Sequence, residues 1–231
     1  MSGQLPLALR WPAHQRFATF TAGANGVPIE LVRDAATSTG ASLYLSGAHG
    51  SGRTHLLIAA CAEAGEQGRR AQYLPLRRHG AGLIRGFGGS DLIAIDDVDA
   101  IAGDAAAEHA LFDLYNRCRA EAVGLLFAAG QPPAQVGFGL PDLVSRLGAS
   151  TQAVLKPLDE AARRELVVER ARVRGIELDD AVTDWLFAHG RRDLGSLLAV
   201  LDRIDRASLA ARRRVTVPFL RGIMQADDMA S

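Results

Sequence analysis

Lysine is almost missing from this sequence. Lys156 is the only lysine among 26 lysine and arginine residues. If a binding site lacks its usual lysine, no other lysine of the chain can take its place. The 26 acidic residues balance the basic ones, and a chain without net charge has no long-range field that gathers DNA, RNA or an anionic membrane. Composition therefore gives no indication of nucleic-acid binding.

Cysteine and long apolar runs are also scarce. Cys61 and Cys118 are too few and too loosely spaced for a disulfide scaffold or a zinc site, and we expect two buried free thiols, which suits a reducing cytoplasm. The only early apolar run, residues 5–9, is too short for a signal-peptide core, and no segment is long enough to span a membrane. These absences predict a soluble, cytoplasmic protein without a membrane partner.

Strand-like and helix-like segments alternate between residues 42 and 157. This alternation predicts an α/β fold in which βαβ units form a parallel sheet with helices on both faces. The runs LIAI and GLLFAA lack polar alternation, as expected of central strands. The expected strands are SLYLS (42–46), AQYLPL (71–76), DLIAIDD (91–97), VGLLFAA (123–129) and TQAVLKPL (151–158).

Helical patterns replace strand patterns after Pro157. Aspartates that can cap helices predict helices from Asp159 to about Arg174, from Asp179 to about His189, and from Asp193 through a stripe of Leu197, Leu198, Leu201 and Ile204. Thr216 and Pro218 begin a short last helix. The predicted organisation is a leader (1–15), a nucleotide-binding α/β domain (16–158) and a helical lid domain (159–231).

The stretch GAHGSGRTH, residues 47–55, has the glycine spacing of a phosphate-binding loop. It follows a predicted strand and precedes an apolar helical stripe, so backbone N–H groups could wrap a phosphate at a helix N-terminus. Thr54 would supply a hydroxyl ligand for Mg²⁺. A glycine-rich turn without a ligand is the alternative. The candidate nucleotide-binding residues are Gly47, Gly50, Ser51, Gly52, Arg53, Thr54 and His55.

An acidic pair ends the apolar run of LIAIDDVD. Acidic residues at the carboxyl end of a buried parallel strand lie beside the phosphate loop of such folds. We expect Asp96 to hold Mg²⁺ and Asp97 to orient an attacking water. A strand end followed by a turn is the alternative interpretation.

These motifs occur in an order that resembles the AAA+ core of the bacterial replication initiator DnaA. The motifs are RFATFTAGAN (16–25), GAHGSGRT, IDDVDAI, LVSRLGAS (143–150), RGIELDDAV (174–182) and GRRDLGSLL (190–198). The resemblance covers nearly the whole chain and implies an AAA+ P-loop sheet followed by a small all-α lid. The sequence ends at Ser231 without the initiator's helix-turn-helix domain. It is therefore most similar to the short homologues that inactivate the initiator, with only indirect DNA contact.

The resemblance also implies roles for residues outside the loop. Arg146 in LVSRL matches the family's arginine finger, which projects into a neighbouring subunit's nucleotide site, and Arg192 matches the lid arginine that contacts phosphate. The segment QLPLAL (4–9) is similar to a sliding-clamp-binding motif, in which alternate side chains of an extended segment enter an apolar groove. Its contact residues are Gln4, Leu5, Leu7 and Leu9. A solvated surface arginine and a loosely ordered leader are the respective alternatives.

Two positions depart from the family pattern. Arg53 replaces the P-loop lysine, and a planar guanidinium substitutes poorly for a point charge between β- and γ-phosphates. Ala129 and Gly130 stand at the position of the family's first sensor, which usually carries a polar residue. Gln131 is the nearest polar side chain in the sequence. We therefore expect a nucleoside diphosphate, ADP, with Mg²⁺ as the ligand, and weak or no intrinsic ATPase activity.

Three functions fit these motifs. The leading hypothesis is a negative regulator of replication initiation that docks on the DNA-loaded sliding clamp and stimulates hydrolysis of ATP bound to a DnaA-type initiator. The second is a stand-alone AAA+ ATPase, such as a helicase loader or DNA-remodelling factor. The third is a catalytically silent adaptor that uses nucleotide only to hold its fold. A homo-oligomer is compatible with each.

Overall fold

The structure, a computed structural model, describes residues 11–190, 193–211 and 215–228. It divides into two units. The first comprises the described residues up to Ala48 together with Gly52–Pro157. The second comprises His49–Ser51 together with the described residues from Leu158 onward.

The first unit contains a five-stranded sheet in which every strand pair is parallel. The strand order is β2-β3-β4-β1-β5, so β1 lies between two strands that come much later in the chain. The strands are β1 (Ser42–Gly47), β2 (Ala71–Pro75), β3 (Leu92–Asp96), β4 (Gly124–Ala129) and β5 (Thr151–Leu155).

Six α-helices and three 3₁₀ helices accompany the sheet among the described residues of this unit. The α-helices are α1 (Gly26–Thr37), α2 (Arg53–Glu66), α3 (Leu76–His79), α4 (Ala105–Ala120), α5 (Pro133–Val136) and α6 (Pro141–Gly148). The 3₁₀ helices are Phe17–Thr19, Ala81–Gly86 and Val98–Ile101.

Successive side chains of each strand point to opposite faces of the sheet and pack into two separate apolar cores. Leu43 and Leu45 of β1 pack in one core with residues of α1 and α2, whereas Tyr44 between them packs in the other with residues of α4 and α6. This alternation follows from the period of two residues in a strand. The parallel sheet covered on both faces is thus confirmed.

All five predicted strands are present, and their ends differ slightly from the prediction. β5 ends at Leu155 because the next residue turns to another partner: Lys156 N donates to Asn25 Oδ1 over 2.8 Å, and Asn25 Nδ2 donates to Lys156 O over 2.9 Å. β2 ends at Pro75, since Leu76 already begins α3. β3 ends at Asp96, because Asp97 adopts a left-handed φ of 53°.

The second unit is helical, as expected from its aspartate caps. Its helices are α7 (Glu160–Val173), α8 (Asp180–His189), α9 (Leu194–Ala211) and α10 (Val217–Asp228). Asp159, Asp179 and Asp193 each accept a hydrogen bond from the backbone three residues later, at 2.8, 2.8 and 2.9 Å. Such bonds satisfy N–H groups that a helix start leaves free. The stripe residues Leu197, Leu201 and Ile204 are buried in this unit's core.

Both cysteines are buried free thiols. Burial raises the pKa of Cys61 to about 12 and that of Cys118 to about 11, so neither forms a thiolate near neutral pH. Within the described part of the chain, no helix combines the length and the apolarity needed to cross a membrane.

Candidate functional site

The predicted phosphate-binding loop connects β1 to α2, and its backbone conformation favours glycine at two positions. Gly50 and Gly52 have φ values of 76° and 99°, which residues with a Cβ rarely adopt. Gly52 immediately precedes the first turn of α2, and a Cβ there would lie only 2.5 Å from Cε2 of Phe20. Both the conformation and the close approach of the Phe20 ring therefore disfavour a side chain at position 52.

Several donors in this loop lack protein partners, which fits a phosphate ligand. The first N–H groups of a helix have no intrahelical acceptor, and they carry the positive end of the helix dipole. Ser51 Oγ and Arg53 Nη1 are buried and have no hydrogen-bond partner among the described residues. Because buried polar groups are normally paired, these donors are suited to phosphate oxygens.

Thr54 and Asp96 meet as expected of a magnesium site. Thr54 Oγ1 donates to Asp96 Oδ2 over 2.6 Å, and Asp96 is only 2% exposed. A hydroxyl and a carboxylate oxygen at this separation suit Mg²⁺, which keeps most of its ligands as water and substrate phosphates. Among the described residues, no group of three or more histidine, cysteine or acidic side chains could hold a metal ion.

Tyr73 is a site residue that the sequence analysis missed. Its hydroxyl donates to Asp96 Oδ2 over 2.8 Å, while the backbone N–H of Asp97 donates to Asp96 Oδ1 over 3.0 Å. Burial and the neighbouring Asp96 raise the pKa of Tyr73 far above its usual value, so the phenol stays protonated and donates. Tyr73 lies on β2, next to β3, and only the strand order reveals this proximity.

Arg53, the departure from the P-loop pattern, points toward acidic groups after β3. Its Nη2 lies 3.8 Å from Asp97 Oδ1. Arg77 reaches the same carboxylate, with Nε 3.4 Å from Asp97 Oδ2, and its Nη2 lies 3.6 Å from Asp99 Oδ2. The arginine and aspartate side chains thus form one network in which Asp97 faces two guanidinium groups.

Gly130 lies beside this network. A Cβ at Gly130 would be 3.8 Å from Arg53 Nη1 and 3.5 Å from Asp99 Oδ2. These are ordinary contact distances, so Gly130 and the guanidinium of Arg53 are neighbours in the structure.

Asp97, the residue predicted to orient an attacking water, has a perturbed carboxyl pKa and an uncommon backbone conformation. Burial and the adjacent Asp96 raise the pKa of the Asp97 carboxyl, while Arg77 and Arg53 act in the opposite direction. Its left-handed φ of 53° is uncommon for a residue with a Cβ. A carboxylate paired with two arginines is less available to orient a water molecule.

His55 contacts the segment that precedes α1. Its Nε2 lies 2.9 Å from Arg16 O, and its ring meets Phe20 edge-on at 5.1 Å between centroids. His55, in the first turn of α2, therefore contacts residues 16–20. Its predicted contact with nucleotide stays a prediction.

Arg146 is an exposed cation on a firmly packed helix. Leu143 and Leu147 of α6 are fully buried, whereas Arg146 is exposed. In the part of the chain that the structure describes, no carboxylate pairs with it. The predicted lid arginine Arg192 and the clamp-binding residues Gln4, Leu5, Leu7 and Leu9 lie outside the described residues.

Comparisons with known proteins agree with this geometry. Residues 149–224 match the family model described as Hda, lid domain. Domain III of the replication initiation protein DnaA from Thermotoga maritima superimposes with a TM-score of 0.80 at 18% identity, covering 94% of this chain and 98% of that one. The chain therefore has the fold of DnaA domain III, and its residues 149–224 are similar to the Hda lid domain.

Other AAA+ structures share the fold. AMPPCP-bound DnaA from Aquifex aeolicus matches with a TM-score of 0.68 at 22% identity, covering 84% of this chain and 66% of that chain. The RuvB Holliday junction branch migration motor of Thermotoga maritima matches with a TM-score of 0.66 at 15% identity, covering 94% and 72%. These likenesses confirm the predicted AAA+ sheet and helical lid.

Proposed function

We propose that this DnaA-like chain is a negative regulator of replication initiation that stimulates hydrolysis of ATP bound to a DnaA-type initiator. It docks on the DNA-loaded sliding clamp through residues 4–9 and presents Arg146 to the initiator. The observation that carries the proposal is Arg146 itself, an exposed guanidinium that forms no ion pair with the described residues and lies on a helix anchored in the core. The Hda-type lid supports the choice of this regulator over other AAA+ functions.

Arg146 acts in trans, on the ATP that is bound to the initiator. During phosphoryl transfer, negative charge spreads over the oxygens of the transferred group, and a guanidinium from a neighbouring subunit stabilises it. Such a residue contributes about 10³ to 10⁵ in rate. Since Arg146 has no internal acidic partner among the described residues, docking breaks no ion pair there.

The chain's own nucleotide site has a regulatory role. The loop 47–55 holds phosphate, Thr54 and Asp96 hold Mg²⁺, and Arg192 contributes from the lid. The pairing of Asp97 with Arg53 and Arg77 disfavours activation of water, so the bound nucleotide persists as a ligand. A protein with these features could stimulate hydrolysis of a partner's ATP without hydrolysing its own bound nucleotide.

We expect ADP to bind more tightly than ATP in the presence of Mg²⁺. The physical reason is the fork of Arg53, which is bulkier than lysine where a γ-phosphate would lie. Calorimetric titration with ADP, with ATP and with adenosine as the phosphate-free control checks this. Equal or tighter ATP binding with brisk turnover would support a stand-alone ATPase instead.

Gly52→Ala is expected to weaken ADP binding by about tenfold or more. A residue with a Cβ at a φ of 99° carries strain of about 1–3 kcal/mol. If the free loop relaxes away from the binding conformation, binding must restore that strain, and about 1.4 kcal/mol corresponds to tenfold in affinity. The new Cβ would also displace the Phe20 ring.

Gly26→Ala is the matched control for this substitution. A Cβ at Gly26 would have no other atom within 4 Å, and Gly26 has no positive φ, so the affinity of this variant for ADP should match wild type. The same titration measures both variants. Unchanged affinity in Gly52→Ala would mean that this loop does not bind phosphate.

Turnover assays separate the three candidate functions. The regulator accelerates ATP hydrolysis only when initiator and clamp are present, whereas a stand-alone ATPase turns over by itself. A silent adaptor does neither. The intact Thr54 and Asp96 pair keeps the stand-alone ATPase as the second candidate.

A further inference from the structure

Glu108 is a buried carboxylate that the nucleotide site does not use. It lies on α4 and is 1% exposed, and a buried charge requires compensating partners. Its Oε1 accepts hydrogen bonds from the backbone N–H groups of Gly103 over 2.7 Å and Gly139 over 3.0 Å. Its Oε2 accepts from Leu140 N over 2.7 Å. One side chain therefore holds two loops that are far apart in sequence.

The second of these loops leads directly into the helix of Arg146. Leu140 is the N-cap residue of α6, and its own side chain makes no capping hydrogen bond. Gly139 lies beside the carboxylate, and a Cβ there would be in ordinary contact with Glu108 Oε2 at 3.7 Å. Leu143 and Leu147 anchor the same helix in the core. The apolar contacts hold α6 against the unit, and Glu108 holds its start.

We propose that Glu108 is a positioning residue for Arg146, setting the direction in which α6 presents the guanidinium. This inference rests on the proposed function of Arg146. Hydrogen bonds to a charged acceptor are roughly twice as strong as neutral ones, so the carboxylate holds residues 139 and 140 firmly. A neutral amide of the same shape cannot replace it, because its NH₂ group would face at least one of the three N–H donors.

Glu108→Gln tests the proposal through the stimulated reaction. In single-turnover hydrolysis of initiator-bound ATP with clamp on DNA, we expect the rate at saturating protein to fall by about 10²-fold, the effect of an approximately 1 Å misplacement. Affinity for ADP should stay at the wild-type value. Asp113→Asn, which changes an exposed carboxylate on the same helix, is the matched control and should stimulate normally.

The double variant Glu108→Gln with Arg146→Ala decides whether Glu108 acts through the arginine. If it does, the double variant is no slower than Arg146→Ala alone, because coupled residues are not additive. If Glu108→Gln lowers the stimulated rate of the Arg146→Ala variant by the same factor as that of the wild type, the proposal is wrong. Wild-type stimulation by Glu108→Gln would also overturn it.

Amide hydrogen exchange gives a readout that depends on neither stimulation nor variant folding. In the wild-type protein, the amides of Gly139 and Leu140 should exchange slowly although they precede the helix, since Glu108 accepts from both. Fast exchange at both positions would overturn the proposal even if Glu108→Gln failed to fold. If exchange is slow but wild type and Arg146→Ala stimulate equally, the proposed function fails while the anchoring of α6 stands.

Discussion

Arg146→Ala is expected to lower the stimulated hydrolysis of initiator-bound ATP by at least ~10³-fold. The substitution removes one guanidinium that stabilises charge on the transferring phosphoryl group. It should leave the fold intact, because Arg146 is exposed and α6 is held by Leu143 and Leu147. Single-turnover hydrolysis with clamp on DNA, at saturating protein, measures the effect.

Two controls show whether the loss of stimulation is specific to the guanidinium of Arg146. Ser145→Ala changes the exposed neighbour on the same helix and should stimulate like wild type. ADP affinity and clamp binding should be unchanged in Arg146→Ala, since the side chain is proposed to act only on the partner's nucleotide. Normal stimulation by Arg146→Ala would identify it as an ordinary surface residue and remove the proposed mechanism.

Gln4→Ala combined with Leu5→Ala is expected to abolish binding to the sliding clamp. In the proposed mode, leucine side chains enter an apolar groove while the glutamine amide meets polar groups at its rim. Interface energy is concentrated in a few such anchors, so removing two of them eliminates detectable binding. A pull-down with purified clamp measures this, with Ser2→Ala as the control within the same leader.

The stimulated reaction gives a second readout of the clamp variant. Tethering two partners on one scaffold raises their effective concentration, which increases avidity by about 10² to 10⁴ without new contacts. The variant should therefore require much more protein for half-maximal stimulation, yet reach the wild-type rate at saturation because Arg146 is intact. Retention of the variant on the clamp would show that the leader is not the contact.

The strands and lid helices were predictable because their signals are local. The apolar runs of β3 and β4 are buried at every position, as their lack of polar alternation indicated. Asp159 and Asp179 cap the helices that follow them, and N-capping depends on residues only three positions apart. The meeting of Thr54 with Asp96 followed from a general rule about the carboxyl ends of parallel strands.

The remaining site contacts depend on pairs that are distant in sequence. Tyr73 reaches Asp96 because β2 is next to β3, and neither strand carries a local sign of that pairing. Glu108 resembles an ordinary acidic residue in the first turn of a helix, and only its burial against two loops reveals its role. Arg53 was recognised as unusual, but its direction toward Asp97 required the three-dimensional structure.

Arg53 and Gly130 are close enough in space for a substitution at one position to affect the other. A Cβ at position 130 would lie 3.8 Å from Arg53 Nη1, within ordinary contact distance. Replacing Arg53 would remove one of the two cations that face Asp97 and leave the partly buried carboxylates of Asp97 and Asp99 less compensated. Because residues in contact are often energetically coupled, substitutions at positions 53 and 130 would not act independently of each other.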